Sequence, residues 1–289
     1  MTLFELVKIT LDELYKEAWK HYGLNTDAEI KARFAYLSGS YEQLNDPARV
    51  PINYRDPATR FAYVFRYVAT HGDYVVQMLN IASATLKGPV FPSGTARVSC
   101  IGGGPGSDIL AILKHLDDYK GRESVTKLVV YLLDKEQAWA DTWTELDDKL
   151  NVGVQLNTNF QPLDVTDAAS WSAQRKFLES DVFTLSYFVS EVHSLDSTGL
   201  VTQFWQTLFQ DAKPGALFFY DDNGTDLLNQ YFDTQWQAAG LELIAADTNV
   251  RWTPRYTERA NVLDDYKAKF STWPKLQGYL SYRILRKPT

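Results

Sequence analysis

The spacing of hydrophobic positions along this chain changes near residue 90. Before that point, apolar residues recur every three or four positions, which is the spacing of an amphipathic helix. The first such stripe runs from Leu3 to Trp19, behind a capping-box pair, Thr2 and Glu5, and ahead of Gly23. The chain is therefore expected to begin with a long helix.

Three further signals organise the rest of this first part. Thr26 and Glu29 repeat the capping pattern and predict a second helix. Asp56 before Pro57 predicts another helix start, with one or two helices over residues 57–86. Residues 39–56 between them predict a long loop, which could serve either as a lid carrying Asn53, Tyr54 and Arg60 or as a structural collar.

After residue 90, short apolar runs alternate with helical segments. We predict an α/β domain over residues 91–289, with a mostly parallel sheet covered by helices on both faces, and an N-terminal helical cap over residues 1–90. The predicted strands lie at 96–101, 127–134, within 154–164, and at 181–189, 213–222, 241–247 and 279–287. The predicted helices lie at 107–119, 136–150, 170–179, 197–210 and 225–238.

Composition narrows the setting. The 289 residues are 45% hydrophobic and contain no run long enough to cross a bilayer, so we expect a soluble protein without a membrane partner. The N-terminus has no signal-peptide pattern, which favours an intracellular protein, in the cytoplasm by default, with a nuclear location left open. A single cysteine, Cys100, forms no internal disulfide, and the four scattered histidines show no metal-ligand spacing.

Charge is unevenly distributed. The formal net charge is −7, yet from Arg251 onwards nine Lys or Arg stand against three Asp or Glu. The acidic majority argues against a general nucleic-acid binder. The basic C-terminal segment either meets an anionic partner or is an ordinary solvated surface. The oligomeric state is left open.

The stretch CIGGGPGSD, residues 100–108, joins a predicted strand to a predicted helix. Glycines allow positive φ and a close backbone approach, and a helix start offers free N–H groups. Residues Gly102, Gly103, Gly104, Pro105 and Gly106 therefore form the expected floor of a small-molecule site. Ser107 stands where a dinucleotide fingerprint has Gly or Ala, so the spacing does not match that motif.

Acidic residues end the next two predicted strands. The Asp134 carboxylate can accept both hydroxyls of a ribose, although it could also cap the following helix. Asp164 is placed to accept from an exocyclic amine of a base, or is simply a turn residue. Lys135 and Val165, which follow these acids, are included among the candidate cofactor-binding residues.

This order of strand, glycine turn and strand-end acids resembles the class I, Rossmann-like, S-adenosylmethionine-dependent methyltransferases, over roughly residues 90–289. The resemblance implies a seven-stranded sheet with an antiparallel last strand. It further implies that Gly102, Gly104 and Gly106 face the methionine part of the cofactor, that Asp134 holds the ribose, and that Asp164 and Val165 frame the adenine. Ser186 and Tyr187 would then lie beneath the transferable methyl group.

One position departs from the pattern of many members. Two residues before the first glycine, where an acid is common, this chain has Cys100. Asp108 is our candidate partner for the cofactor's ammonium group. The departure puts catalysis in doubt more than binding.

Candidate catalytic groups follow the fourth and fifth predicted strands. Glu191 and His193 are candidate bases or acceptor-orienting groups, with helix capping or a solvated loop as the alternative. Tyr187 could place its ring beside a sulfonium. Asp221, Asp222 and Asn223 end the fifth strand, at the edge where a substrate would enter.

The sequence thus predicts an enzyme that transfers a methyl group from S-adenosylmethionine, leaving S-adenosylhomocysteine, to an unidentified acceptor. The acidic majority favours a small molecule or a protein as acceptor over a nucleic acid. A non-catalytic cofactor-binding sensor or complex subunit is the main alternative, and a nicotinamide-dependent oxidoreductase is a further one.

Overall fold

The computed structural model describes residues 2–43, 46, 48, 50–147, 150, 153–255 and 260–289, with the backbone alone for residues 144–147. The predicted loop 39–56, the end of the helix predicted over 136–150 and part of the basic C-terminal segment therefore lie partly outside the described residues. Within them, no helix is long and apolar enough to cross a membrane.

Seven strands form one sheet. They are β1 (Gly94–Ile101), β2 (Val125–Asp134), β3 (Gln155–Pro162), β4 (Val182–Ser186), β5 (Leu217–Asn223), β6 (Glu242–Trp252) and β7 (Gly278–Arg286). Their spatial order is β3-β2-β1-β4-β5-β7-β6, and β7 runs antiparallel to both of its neighbours while the other adjacent pairs are parallel. The predicted mostly parallel sheet with an antiparallel last strand is confirmed.

Eleven α-helices are present in the described residues. They are α1 (Leu3–Tyr22), α2 (Thr26–Glu42), α3 (Pro57–Tyr63), α4 (Ala69–Leu86), α5 (Ser107–Asp118), α6 (Ala138–Asp147), α7 (Ala168–Ser172), α8 (Val189–Val192), α9 (Leu200–Asp211), α10 (Asp226–Ala238) and α11 (Asp264–Phe270). A π-helical turn, Val64–Val68, joins α3 to α4, so that residues 57–86 form one continuous helical segment.

Both faces of the central strands are buried, as their near-continuous apolar sequences require. Successive residues point to opposite faces: Val182 belongs to a core cluster shared with α1, α3, α4 and α5, and Phe183 belongs to one shared with α9 and α10. Leu217 and Phe218 of β5 divide between the clusters in the same way. The helices of residues 1–90 thus share a core with the sheet, and the boundary at residue 90 stays a prediction.

The first helix begins as its sequence predicts. The Thr2 hydroxyl accepts the N–H of Glu5, and the Glu5 carboxylate accepts the N–H of Thr2, which completes the capping box. Asp56 caps α3 by accepting the N–H of Ala58 at 2.9 Å. The second capping box does not form, because the Thr26 hydroxyl donates to the carbonyl of Gly23 at 2.6 Å.

Other predictions differ from the structure. The strand predicted over 181–189 ends at Ser186, and α2 continues to Glu42, into the predicted loop 39–56. The helix predicted over 170–179 is only the short α7 followed by a 3₁₀ turn at Lys176–Glu179. Strand β6 continues to Trp252, five residues beyond its predicted end. Helix α11 was not predicted; its Tyr266 and Phe270 rings lie 5.1 and 5.5 Å from the Phe61 ring, so it extends the aromatic core of the N-terminal helices.

Candidate functional site

The chain reverses its direction across the sheet between β1 and β4, and the glycine turn lies at that point. Gly102, Gly104 and Gly106 all have positive φ, at +64°, +29° and +74°. The Gly106 N–H donates to the carbonyl of Gly103 at 2.6 Å, which turns the chain sharply into α5. Ligands of open α/β sheets bind at this kind of switch point, outside the carboxyl ends of the strands.

Aromatic side chains of the protein itself fill the space beside two of these glycines. A Cβ atom at Gly102 would lie 2.2 Å from Cδ2 of Phe188, and one at Gly106 would lie 1.9 Å from Cζ2 of Trp143. Their lack of a side chain is therefore explained by packing as well as by φ. Contact of these glycines with a ligand stays a prediction.

Asp134, at the end of β2, faces the middle of the turn. Its Oδ2 accepts the N–H of Gly104 at 3.0 Å, and its Oδ1 accepts the N–H of Glu136 at 2.8 Å. Burial raises the pKa of Asp134 to about 6, against the opposing effect of these bonds. Each carboxylate oxygen has a second lone pair, so the group can still accept two neighbouring hydroxyls.

Lys135 and Asp164, candidates from two different strand ends, are brought together. Lys135 Nζ lies 2.6 Å from Oδ2 of Asp164, while Oδ1 of Asp164 accepts the N–H and the hydroxyl of Thr166. Burial opposes ionisation of Asp164, but the bonds from Lys135 and Thr166 hold its pKa below the usual value. Val165 is buried in the core. Asp164 therefore closes a turn, and its role toward a base stays a prediction.

Ser186 and Tyr187 lie where β4 ends. Tyr187 has a φ of +53°, a strained value for a bulky residue, and its N–H donates to the carbonyl of Asp221 at 2.7 Å. Its ring stacks on the imidazole of His71, and the Ser186 hydroxyl donates to Oδ2 of Asp221 at 3.2 Å. The strained backbone of Tyr187 thus occurs where its ring is held against His71, at the switch point of the sheet.

Asp108 is 1% exposed and accepts the hydroxyls of Thr184 and Ser107. Burial raises its pKa to about 6. Burial also raises the pKa of the Cys100 thiol well above its usual value, and the charge of Asp108 raises it further, which places the two side chains close together. A carboxylate thus lies beside the position where Cys100 replaces an acid. Binding of an ammonium by Asp108 stays a prediction.

Two adjacent acids end β5 in different surroundings. Asp222 accepts the N–H of Ser190 at 2.8 Å and of Asn223 at 2.7 Å, and burial raises its pKa to about 6. Asp221 is also fully buried, but its Oδ1 has no hydrogen-bond partner among the described residues. Burial, followed by the nearby charge of Asp108, raises the pKa of Asp221 well above its usual value.

A cavity of about 310 Å³ opens beside Tyr187. The strand-end side supplies Tyr187, Ser190, Glu191, Asn223, Thr225 and Leu228, the N-terminal helices supply Tyr41, Tyr63, Tyr67 and His71, and Lys275 completes the lining. This cavity is the candidate acceptor site, because it borders Tyr187 at the carboxyl end of β4 and combines aromatic walls with a few polar groups.

Two of the three catalytic candidates, Glu191 and Tyr187, line this cavity. His193 is not among its lining residues. The His193 ring packs against Tyr231 with 5.5 Å between centroids, and its Nδ1 is buried without a partner in the described structure. The structure thus separates His193 from the other two, and the roles of all three stay predictions.

The sequence reasoning did not single out Tyr63, Tyr67 and His71. Their four-residue spacing was a usable signal, since it places three rings along one side of a helical segment. The π-helical turn at Val64–Val68 lies within that segment, and such turns are frequent at functional sites. Tyr41 gave no such signal, because it reaches the cavity from α2.

The end of the predicted loop 39–56 does lie against the sheet edge. The Tyr54 ring lies 5.5 Å from that of Trp139, and Arg55 Nε lies 3.3 Å from Oε2 of Glu136. Arg60 is 1% exposed and donates to the carbonyls of Tyr54 and Arg55. Arg60 therefore holds this segment in place from within, and both the lid and the collar interpretation stay predictions.

The strand order, the antiparallel β7 and the glycine turn after β1 together define the class I S-adenosylmethionine-dependent methyltransferase fold.

No group of three His, Cys, Asp or Glu side chains that could hold a metal ion occurs in the described part of the chain.

Comparison with known proteins agrees with this fold. No family model and no curated protein matches the sequence. Among solved structures, the CurJ carbon methyltransferase is 15% identical, with 96% of this chain and 71% of that chain covered and a TM-score of 0.50. A SAM-dependent methyltransferase from Methanosarcina mazei is 10% identical, with 68% of this chain and 95% of that chain covered and a TM-score of 0.44. The 16S rRNA methylase ArmA is 12% identical, with 86% of this chain and 97% of that chain covered and a TM-score of 0.44. At this identity, the likeness to the CurJ enzyme concerns the fold alone.

Proposed function

We propose that this chain is an S-adenosylmethionine-dependent methyltransferase acting on a small molecule or a protein. The observation that carries the proposal is the glycine turn at the switch point of the sheet, where the Asp134 carboxylate accepts the N–H of Gly104 at 3.0 Å and the Asp108 carboxylate is buried in the first turn of α5. Glu191 follows β4 at the same edge of the sheet. Burial, and then charges that include those of Glu191, Asp108 and Asp134, raises the pKa of Tyr63 well above its usual value, which agrees with this grouping of acids.

A convergence of acids suits a cationic ligand. S-adenosylmethionine carries a sulfonium and an ammonium against one carboxylate, so its net charge is positive. A nicotinamide dinucleotide carries a pyrophosphate, which these acids would repel. The acidic surroundings therefore favour the sulfonium cofactor. Ser107 also argues against a nicotinamide dinucleotide, because the dinucleotide motif has Gly or Ala at this position.

The residues at the strand ends fit such a cofactor. Asp134 retains lone pairs toward a ribose diol, and Lys135, Asp164 and Val165 lie at the next strand end, where the base would be framed. Asp108 is the candidate partner for the ammonium. When bound, the cofactor supplies a methyl group already activated for displacement by its positive sulfur.

The protein's own contribution is then alignment and proton transfer. The cavity walls of Tyr41, Tyr63 and Tyr67 exclude water and hold the acceptor against Tyr187, which converts a bimolecular displacement into an oriented one. Where the acceptor atom carries a proton, Glu191 is the group in this cavity that can accept it.

A non-catalytic cofactor-binding protein is the second candidate. It is favoured by the way Phe188 and Trp143 pack against the glycine turn, and by the burial of Asp108. Both features would suit a site that binds its ligand only after rearrangement.

Calorimetric titration of the purified chain with S-adenosylmethionine, S-adenosylhomocysteine and NADH tests the proposal. Binding of the first two without NADH is the expected result, and transfer of a labelled methyl group to some member of an acceptor panel would then exclude the non-catalytic alternative. Binding of NADH alone would overturn the proposal in favour of an oxidoreductase.

A further inference from the structure

The candidate acceptor cavity has an acidic end and a basic end. Glu191 and Lys275 both line it, and the charge of Glu191, after burial, raises the pKa of the Tyr41 and Tyr63 phenols. The charge of Lys275, by contrast, acts on His71. The two opposite charges therefore influence different parts of the same lining.

Lys275 is held at the basic end by its backbone. Its N–H donates to the carbonyl of Arg66 at 2.8 Å, and its carbonyl accepts the hydroxyl of Thr70. The Arg66 guanidinium in turn donates to the carbonyl of Trp273. These bonds fix the backbone of residues 273–275 against the helical segment that carries Tyr67 and His71, and the exposed Lys275 takes its place in the cavity lining from this anchored backbone.

The two cations at this end lack an acidic partner. Within the described residues, no carboxylate lies within ion-pair distance of Lys275 or Arg66. Partial desolvation, and then the like charge of Arg66, lowers the pKa of Lys275. In a chain of net charge −7, this pair forms a local positive potential; Lys275 is the member that lines the cavity, and an anion bound there would relieve the repulsion.

Flat rings lie between the charged ends. Tyr187 and His71 stack on one another, and Tyr67 lies 5.6 Å from the His71 ring. Burial lowers the pKa of His71 to about 3, so this imidazole is neutral and adds no charge to the middle of the cavity. A volume of about 310 Å³ bordered by rings suits a small planar molecule.

We propose that the methyl acceptor is a small planar molecule with an anionic group, a carboxylate or a phosphate, which Lys275 binds while the ring lies among the tyrosines. This inference rests on the proposed function. It places the reacting atom toward Glu191 and the anion toward Lys275, with the Tyr187 and His71 rings between them.

The test measures binding of four probes by calorimetry to the full chain saturated with S-adenosylhomocysteine. The probes are 4-hydroxybenzoate, phenyl phosphate, the neutral 4-hydroxybenzamide and the cationic tyramine. At least one anion should bind about tenfold more tightly than the amide, as expected for a charge-assisted hydrogen bond. The first two probes distinguish a carboxylate site from a phosphate site.

Two lysine variants complete the test. Lys275→Gln should abolish the preference for the anion while leaving S-adenosylhomocysteine affinity unchanged. Lys176→Gln, at an exposed lysine on the 3₁₀ turn after α7, is the matched control and should behave as the wild type.

The outcomes separate this inference from the proposed function. Equal or tighter binding of the amide or tyramine, no binding of either anion, or a preference that survives Lys275→Gln would overturn the inference alone if S-adenosylhomocysteine binds. If S-adenosylhomocysteine fails to bind but the anion preference is present and lost in Lys275→Gln, the methyltransferase proposal fails and Lys275 stands as an anion site.

Discussion

The ring of Tyr187 stacks on the imidazole of His71, with centroids 3.9 Å and planes 14° apart. Tyr187 follows β4 at the switch point of the sheet, and His71 belongs to α4 in the N-terminal part of the chain. Each residue is unusual by itself: Tyr187 has a positive φ, and burial lowers the pKa of His71 to about 3. The contact therefore makes the N-terminal helices part of the candidate site.

The first prediction concerns His71 and acid stability. In the unfolded chain the pKa of His71 is about 6.5, whereas in the folded chain it is about 3. The unfolded state therefore binds more protons in this window, and the contribution of His71 to the free energy of unfolding falls as the pH drops through it. Between pH 7 and pH 4.5, the wild type should lose about 2 kcal/mol more than His71→Phe, which keeps a stacked ring.

Urea unfolding at the two pH values measures this difference. His21→Phe, at an exposed imidazole, is the control and should follow the wild type. Equal pH dependence in His71→Phe and the wild type would show that His71 takes up a proton as readily in the folded state.

The sheet and the glycine turn were predictable because their signals are local. An apolar run bounded by turn residues specifies a strand whatever lies beside it, and the strand-end acid Asp134 follows directly in the sequence. The extents of β6 and α7 were not predictable, because pairing and packing with distant segments set them. Helix α11 depends in the same way on rings that α1 and α3 supply.

The composition of the candidate site was predictable only on its strand-end side. Glu191 and Tyr187 follow β4 and were found from their position. Tyr41 and Lys275 reach the cavity from elements far away in sequence, and nothing local marks them. The packing of Phe188 against Gly102 was also hidden, since it depends on the strained backbone at Tyr187.

The second prediction concerns Asp134 and cofactor affinity. Asp134→Ala removes the carboxylate that we expect to accept the ribose hydroxyls, so affinity for S-adenosylhomocysteine should fall by about 1.5–3 kcal/mol. Asp181→Ala is the control, because Asp181 also accepts a backbone N–H, that of Arg97 at 2.7 Å, but lies at the opposite edge of the sheet. Calorimetric titration with S-adenosylhomocysteine measures the affinity. If the affinity of Asp134→Ala equals that of the wild type, the cofactor does not bind at Asp134.

The third prediction is the pH dependence of that affinity. Asp108 and Asp134 each have a pKa of about 6, and each carboxyl group binds the donors of a cofactor more strongly when it is ionised than when it is protonated. Since protonation competes with binding, affinity for S-adenosylhomocysteine should be constant above about pH 7 and fall below pH 6, by up to about tenfold per pH unit for each group. Asp134→Asn should show a shallower fall, and a flat profile in the wild type would contradict both roles.

The fourth prediction concerns the packing of the glycine turn. Gly106→Ala places a Cβ atom 1.9 Å from the Trp143 ring at a φ of +74°, so the free energy of unfolding should fall by about 3 kcal/mol. Trp143→Ala removes the three indole atoms, Cζ2, Cε2 and Nε1, that lie within 3 Å of that Cβ, and it loses no hydrogen bond of the described structure because the indole N–H has no partner there. In the double variant, part of the loss should be recovered, by about 1 kcal/mol. Additive losses in urea unfolding would mean that the backbone conformation alone requires glycine.

The last prediction separates the two candidate bases. Glu191 lines the cavity beside Tyr187, whereas the His193 ring packs against Tyr231 outside that lining. With an acceptor that must lose a proton, Glu191→Gln should lower kcat by about a hundredfold. His193→Ala should change it by no more than about threefold, since alignment is unaffected. Radiolabel transfer under saturating cofactor measures both, with S-adenosylhomocysteine affinity as the check that each variant still binds. A large loss in His193→Ala alone would reverse the assignment, and full turnover in both variants would mean that alignment of the acceptor suffices without a base.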